Sequence, residues 1–441
     1  MTNRKIRVGR YTASLLLLVM GGLLLWDKLQ NTDVMFRLLK WWPAIFICWG
    51  VEYILFFLLH IRRMRAAKTK IRFRPDFKGV FLSLLLSASV FIVIEQSHYA
   101  HLWNRVSMNL TASSMEFSEA KGESVDKGDL LIPVEEDTAK LVVESVNGDI
   151  ELRRGLSDDV EVHTELWADE VSASEAAKIA EESQLTASTG KTMTLTPKGQ
   201  TYGLSGKRQP RMNLTISLPK SKRLNIEVRT TNGSIVLNRV DAADSLLLET
   251  GNGGLTVTDT IGKLTATTLN GNVKAHRVTG DIEMKTNRGN MEVGDIRGNV
   301  SLSTMVGNIA VARSLYDIHA DTKNGNIGIH GADAALDAQS LNGGISISTA
   351  YVGGDWNVYS AVGEIKLELP GTSDFKMDGS IGYGTISTNL PLTIEGKTIT
   401  GTIGTGEYDI SVEGNSDLIV NNSGFTPAVP ATTPQILQPA R

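Results

Sequence analysis

Short apolar alternations recur about every 18 to 20 residues between Leu224 and Leu369. In each repeat, two apolar residues separated by one other residue precede a glycine, and a second such pair follows it. An alternation with period two predicts a strand that buries one face. Each repeat should therefore contain two short strands that meet at the glycine. The repeat glycines, including an earlier copy at residue 148, are Gly148, Gly233, Gly253, Gly271, Gly289, Gly307, Gly325, Gly343 and Gly363.

Repeats of equal length can stack, so that each strand pairs with its copy in the next repeat. One repeat cannot bury its four apolar side chains alone, whereas a stack can. We therefore predict an all-β solenoid over residues 139–420, with a spacing of roughly 4.8 Å between coils. The alternative is a set of separate hairpins, which Asn-Gly turns usually mark.

Two polar columns accompany the glycines. A Thr or Ser lies three residues before each of them, and we expect its hydroxyl either to donate along the stack or to close the turn. An asparagine follows four successive glycines, and stacking predicts an amide ladder there. We interpret both columns as structural. These asparagines are Asn272, Asn290, Asn308 and Asn326.

The regular pattern is interrupted after the first coil, Leu141–Leu152. Residues near 172–184 predict a helix with Ser172 as its cap and Glu175 in its first turn. The inserted segment is expected to cover the open end of the stack. Beyond Leu367, glycines at 384 and 406 suggest irregular further coils, and the proline-containing tail 421–441 is expected to be disordered.

The first 96 residues have a different character. Apolar runs at about 11–27, 41–60 and 77–95 predict three transmembrane helices. We expect the polar segment 97–138 to be a linker or stalk. Residues 1–80 contain about 15 Lys and Arg against about 4 Asp and Glu, concentrated at the N-terminus and between the second and third apolar runs.

The positive-inside rule places this basic N-terminus and basic loop in the cytoplasm. Three crossings then predict a multi-pass plasma-membrane protein whose C-terminal domain is extracytoplasmic and whose first partner is the lipid bilayer. The remainder of the chain is acidic, which argues against nucleic-acid binding because phosphate would be repelled.

The sequence offers few candidates for chemistry. Glu52 is a charged residue well inside the second predicted span, where a carboxylate is a candidate functional group. The alternative is a protonated or snorkelling side chain. The single cysteine, Cys48, excludes intrachain disulfides and a cysteine metal cluster. The histidines of the repeat share no metal-ligand spacing, and the outward charges are scattered. We therefore expect no catalytic residues, no metal and no cofactor.

Two resemblances follow from these motifs. The coil at Leu141–Leu152, the helical insertion and the run of Asn-Gly coils make residues 140–418 similar to the putative-adhesin family of bacterial β-strand-repeat proteins, a domain of unknown function. The N-terminal region, with Gly21-Gly22, Trp42-Pro43 and Gly50 in order, resembles the transmembrane region of LiaI- and LiaF-like envelope-stress proteins. Together they imply a membrane protein of the bacterial cell envelope.

Three functional hypotheses remain. The first is a non-enzymatic binding, adhesion-like or envelope-sensing module whose partner is a cell-wall polymer or another membrane protein. The second is an accessory regulator of an envelope-stress two-component system, which would act on a sensor kinase through the transmembrane helices. The third is a polysaccharide-processing enzyme, since solenoids include such enzymes.

Overall fold

The computed structural model describes residues 5–8, 72–75 and 116–424. The predicted transmembrane helices, Glu52, the first part of the predicted stalk and residues 425–441 lie outside the described residues. In the described ranges, no helix combines the length and the apolar character that a membrane crossing requires.

Two short strands belong to the N-terminal unit, residues 1–108. β1 (Lys5–Val8) pairs in parallel with β2 (Arg72–Pro75), with Lys5 opposite Arg72. Both strands come from the basic segments that the sequence analysis assigned to one side of the bilayer.

The second unit starts with an end cap that surrounds the first coil. In chain order it contains β3 (Glu116–Phe117), β4 (Glu123–Ile132), β5 (Lys140–Asn147), β6 (Ile150–Arg154), β7 (Val160–Ala168), α1 (Ala173–Glu182), β8 (Gln184–Ser188), β9 (Thr192–Lys198), β10 (Arg208–Gln209) and β11 (Arg211–Leu218). β5 and β6 are the first coil. β9 pairs with β5, and β11 pairs with β6, so the inserted strands cover the end of the stack.

Two features of the cap differ from the sequence predictions. β4 lies within the predicted stalk and pairs antiparallel with β7, so the folded domain starts well before residue 139. Its pattern is hard to detect because nearly all of its side chains are exposed. Ser172 is the N-cap residue of α1, but its hydroxyl makes no capping hydrogen bond and lies instead 3.1 Å from the Ser174 hydroxyl.

The regular stack follows as two columns of parallel strands. Its strands are β12 (Asn225–Asn232), β13 (Ile235–Asn238), β14 (Asp241–Asn252), β15 (Leu255–Asn270), β16 (Val273–Thr279), β17 (Ile282–Arg288), β18 (Met291–Ile296), β19 (Val300–Val306), β20 (Ile309–Ser314), β21 (Ile318–Asn324), β22 (Ile327–Ala332), β23 (Leu336–Asn342), β24 (Ile345–Ser348), β25 (Trp356–Val362) and β26 (Ile365–Leu369). We call the column of strands before the glycines the first face and the column after them the second face.

The strands on both faces pair in register from coil to coil. Ile226 of β12, for example, lies opposite Leu141 of β5 on one side and opposite Leu246 of β14 on the other. The insertion therefore leaves the stacking of the first two coils intact. This pairing confirms a strand-rich repeating architecture of the solenoid type.

The predicted apolar pairs point into the stack. One continuous core runs from the cap to the C-terminal end, and it includes Ile226, Met284, Ile309 and Trp356, each at most 2% exposed. The residues between the pairs face outward, as the period of two requires. The burial of four apolar side chains per coil is the main contribution to the stability of the stack.

The C-terminal end departs from sequential stacking. It contains β27 (Phe375–Ile381), β28 (Ile386–Thr388), β29 (Thr393–Glu395), β30 (Thr398–Ile403), β31 (Tyr408–Gly414) and β32 (Leu418–Asn422). β31 and β32 pair with β25 and β26, and β27 and β28 pair on the far side of β31 and β32. The last described segment, β31 and β32, thus lies between the regular stack and the strands β27 and β28, which precede it in sequence.

This arrangement corrects two predictions. Gly406 does not mark a corner, because the strand that follows it, β31, belongs to the first face, where Ile410 lies opposite Trp356. Residues 421 and 422, which were assigned to the tail, belong to β32.

Candidate functional site

The repeat glycines lie at the corner between the two faces, where successive coils approach most closely. A Cβ atom on Gly307 would lie 2.0 Å from the carbonyl oxygen of Gly289, and one on Gly325 would lie 1.9 Å from that of Gly307. Several of these glycines also have positive φ, such as 154° at Gly307. The corner therefore has no room for any side chain.

The hydroxyl column fixes the same corner from inside. Thr322 Oγ1 donates to the Gly307 carbonyl at 3.1 Å, and Ser340 Oγ donates to the Gly325 carbonyl at 3.0 Å. The bonds run along the stack, which was one of the two predicted alternatives. These hydroxyls are buried, so each bond satisfies polar atoms that water cannot reach.

The asparagine columns differ from the prediction. The side-chain oxygen of Asn290 accepts from the backbone N–H of Asn308 at 2.9 Å, so the asparagines after the glycines form a side-chain-to-backbone ladder. Amide-to-amide bonds occur instead in the column before the glycines. There Asn342 Nδ2 donates to Asn324 Oδ1 at 3.0 Å.

The fold thus brings the repeat glycines and their polar neighbours together at one corner. There they pack successive coils closely and form hydrogen bonds between them. They leave no space for a ligand at this corner. A candidate binding site has to be sought on the outward surface of the stack.

A long open groove runs along the first face, at the edge where each strand begins. It has a volume of about 790 Å³. Its wall is a ladder of residues that immediately precede the first buried apolar residue of the first face in each coil, namely Lys263, Asp281, Asn299, Asp317, Ala335, Asp355 and Asp409. Seven such rungs span about 29 Å at roughly 4.8 Å per coil. We call this feature the acidic groove.

Carboxylates dominate the acidic groove. Besides the four aspartates of the rungs, it is lined by Glu283 and Asp337 on outward strand positions, against one lysine and His319. His319 Nδ1 lies 2.9 Å from Asp337 Oδ2, and Glu283 forms an ion pair with Lys285.

The rung aspartates have different partners. Asp281 accepts the backbone N–H of Asn299 at 2.8 Å, and Asp355 accepts that of Asp409 at 3.0 Å. Within residues 116–424, the Asp317 carboxylate makes no hydrogen bond or ion pair. The groove therefore presents exposed, unneutralised negative charge, which attracts cations or hydroxyl donors.

Tyrosines accompany this edge of the stack. Tyr316 precedes the Asp317 rung and is 47% exposed, and Tyr351 belongs to the loop that leads to Asp355 and is 53% exposed. Tyr408 precedes the Asp409 rung, and a hydrogen bond with the Glu407 carboxylate raises the pKa of Tyr408 to about 12. Exposed tyrosines next to polar groups are typical of binding surfaces, because their rings are rigid and amphipathic.

Other charged clusters serve the structure. Tyr202 donates to Asp169 at 2.7 Å and Arg208 donates to it at 2.9 Å, which ties β10 to the end of β7. Burial raises the pKa of Asp169, but these hydrogen bonds outweigh burial and leave the pKa below its usual value. On the outer side of β12, Arg229 is 8% exposed and pairs with Glu227 and with Glu249, the latter at 2.9 Å.

Among the described residues, no group of three or more His, Cys, Asp or Glu side chains is arranged to hold a metal ion. Sequence analysis treated the outward charges of the repeat as scattered and did not single out the rung column. That column was detectable in principle, because Asp281, Asp317 and Asp355 all lie eight residues before a repeat glycine.

Comparisons with solved structures give matches of low similarity. A putative adhesin from Bacteroides fragilis NCTC 9343 has 13% identity and a TM-score of 0.33, over 68% of this chain and 98% of that one. A putative adhesin from Parabacteroides distasonis ATCC 8503 has 11% identity and a TM-score of 0.31, over 69% of this chain and 100% of that one. A putative lipid binding protein from the same organism has 12% identity and a TM-score of 0.29, over 69% and 99%.

The comparison with curated proteins gives no match. A family model, described as Toastrack DUF4097, matches residues 157–420, which is more than half of the chain. The match covers the inserted cap strands, the regular stack and the rearranged C-terminal coils. The chain therefore belongs to the Toastrack DUF4097 family.

Proposed function

We propose that this protein is a membrane-anchored, extracytoplasmic β-solenoid that acts as a non-enzymatic binding, adhesion-like or envelope-sensing module. The observation that carries the proposal is the acidic groove, an open surface about 29 Å long whose carboxylates lie on rungs spaced as the coils are. An open, periodic surface of this kind suits an extended polymer better than a small substrate, since small-molecule sites are usually enclosed.

The membrane anchor rests on the sequence. Three apolar runs precede the solenoid, and the basic flanks predict a cytoplasmic N-terminus. The pairing of β1 with β2 supports this topology, because it joins two basic segments that the topology assigns to the same side of the bilayer. The resemblance of the N-terminal region to LiaI- and LiaF-like proteins adds an envelope context to the proposal.

The non-enzymatic character is also part of the proposal. In the acidic groove, Asp281 and Asp355 each accept a hydrogen bond from the backbone N–H of the next rung, and His319 is hydrogen-bonded to Asp337. A general acid or base needs a pKa tuned by burial or by a close charge, whereas these groups lie on an open surface.

The alternative is an accessory regulator of a two-component system that acts through the transmembrane helices, with Glu52 as the functional residue. Deletion of residues 116–424, with the N-terminal region retained, separates the two hypotheses. The binding hypothesis predicts that the deletion abolishes the response to envelope stress or the binding to cell-wall polymer. An unchanged stress response, together with its loss in Glu52→Gln, would assign the function to the membrane helices instead.

A polysaccharide-processing enzyme is the third hypothesis. It predicts that the purified full-length chain releases reducing ends from cell-wall glycan. It also predicts that Asp317→Asn abolishes this release, whereas the binding hypothesis predicts no turnover by either form.

A further inference from the structure

The charges in the acidic groove are not evenly distributed along it. Asp281, Asp317 and Asp355 occupy every second rung, with the neutral residues Asn299 and Ala335 between them, and Asp409 occupies the rung next to Asp355. Since neighbouring rungs are roughly 4.8 Å apart, the carboxylates of Asp281, Asp317 and Asp355 repeat at about 9.6 Å.

This period matches one extended polypeptide conformation in particular. A polyproline II helix has three residues per turn and a rise of 3.1 Å per residue, so the same face recurs about every 9.3 Å. Side chains on one face of a β-strand recur about every 6.8 Å and lose register with the carboxylates within one repeat. A polyproline II segment with a cation at every third residue would meet Asp281, Asp317 and Asp355 in succession.

The aromatic residues beside the groove favour the same conformation. Tyr316 and Tyr351 are about half exposed and lie one residue before Asp317 and four residues before Asp355 in the sequence. Polyproline II segments dock on aromatic surfaces, and they lose little conformational entropy because the helix is formed before binding.

We infer that the acidic groove binds a cationic polypeptide segment in the polyproline II conformation, with Lys or Arg at about every third residue. The inference rests on the proposed binding function and names the class of its partner. It follows from complementary charge, from the agreement of the two periods and from the position of the exposed tyrosines.

The test uses the full-length chain in nanodiscs of zwitterionic lipid and the fluorescein-labelled peptide (Pro-Pro-Lys)4, which spans about 37 Å. A block peptide of eight prolines followed by four lysines has the same composition and the wrong period. The groove variant is Asp281→Asn/Asp317→Asn/Asp355→Asn, in which the amide oxygens can still accept the hydrogen bonds between rungs. The matched control is Asp158→Asn/Asp244→Asn/Asp378→Asn, which changes the net charge equally outside the groove. Thermal unfolding verifies that both variants are folded.

The inference predicts that (Pro-Pro-Lys)4 binds the wild type and the control variant with equal affinity in fluorescence anisotropy. Its affinity for the groove variant should fall about tenfold, because three exposed ion pairs are lost. The block peptide should bind more weakly than (Pro-Pro-Lys)4. Equal binding of the two peptides, or an equal loss in both variants, would reduce the effect to general charge attraction and overturn the inference.

A glycan probe separates this inference from the proposed function. If chitohexaose binds the wild type, loses affinity for the groove variant and is not displaced by (Pro-Pro-Lys)4, the polypeptide class is wrong while the binding function stands. If neither probe binds and the deletion of residues 116–424 also has no effect in cells, both fail.

Discussion

The guanidinium of Arg277 donates to both carboxylate oxygens of Asp259, at 2.5 and 2.9 Å, although both residues have a left-handed backbone with φ of 52° and 55°. They lie on successive coils, at the corner that follows the second face. The same corner position is left-handed and alternates in charge over five coils. Its residues are Arg239, Asp259, Arg277, Asp295 and Arg313. A left-handed conformation is unfavourable for a residue with a Cβ atom, and ion pairing between coils offsets part of this cost.

This ladder predicts a pH dependence. The hydrogen bond from Arg277 holds the pKa of Asp259 below its ordinary value. Ionisation of Asp259 therefore stabilises the folded state relative to the unfolded state. The stabilisation is present above the ordinary carboxyl pKa and is lost as the pH falls through the depressed folded-state pKa. Asp259→Asn should therefore lower the thermal midpoint at pH 7 and should make no difference near pH 2.

The control is Asp378→Asn on the outer strand β27, which should leave the midpoint unchanged at both pH values. An Asp259→Asn effect of equal size at pH 7 and pH 2 would show that the ion pair is not its cause.

The glycine corner gives a second prediction. Gly307→Ala should destabilise the chain by about 2–4 kcal/mol, because the added methyl group meets the Gly289 carbonyl and the backbone φ is positive. Gly328→Ala is the matched control in the neighbouring coil, since no atom lies within 4 Å of its added Cβ. It should change the free energy of unfolding by no more than about 0.5 kcal/mol. Urea denaturation followed by circular dichroism measures both, and similar values for the two would refute close stacking at the corner.

The hydroxyl column gives a third prediction. Thr322→Val keeps the shape of the buried side chain but removes the donor to the Gly307 carbonyl, and it should cost about 1 kcal/mol. Thr322→Ser retains the donor, as Ser340 does in the next coil. The backbone amides that face this corner should exchange faster with deuterium in Thr322→Val than in Thr322→Ser. The reverse order would mean that the methyl group, and not the hydroxyl, stabilises the corner.

The order of the C-terminal coils can be tested by truncation. Because β31 and β32 lie between β25 and β27, a chain that ends at residue 406 loses the strands on which Phe375–Ile381 pairs in parallel. We expect the amides of Phe375–Ile381 that face β31 to lose their protection from hydrogen exchange, whereas those that face Thr398–Ile403 keep their antiparallel partner. Sequential stacking of the coils would predict that these amides stay protected in the truncated chain.

These results show which parts of the fold are accessible from sequence. The period of the apolar pairs was sufficient for the solenoid, because each coil repeats the same local rule and pairs with its neighbour. The inserted C-terminal strands were not predictable in this way. Ile410 and Leu418 satisfy the same apolar pattern in either order of stacking, so the pattern alone does not determine the order.

The candidate site was less predictable than the fold. The apolar and glycine columns identify the interior, but an outward column such as Asp281, Asp317 and Asp355 has meaning only when the coils are placed in register. The left-handed corner was also missed, since a positive φ is expected of glycine and not of Arg277 or Asp295. In both cases the relevant neighbours are one or two coils apart in sequence.

The central claim is that the stack and its acidic groove lie outside the cytoplasmic membrane. The variant Cys48→Ala/Tyr383→Cys has one reactive thiol, which lies on the solenoid. Tyr383 is 75% exposed, so a cysteine at this position is accessible to the reagent. Lys68→Cys in the same background provides the cytoplasmic control. A membrane-impermeant maleimide should label residue 383 on intact cells or spheroplasts and label residue 68 only after permeabilisation. Labelling of residue 383 only after permeabilisation would contradict the account.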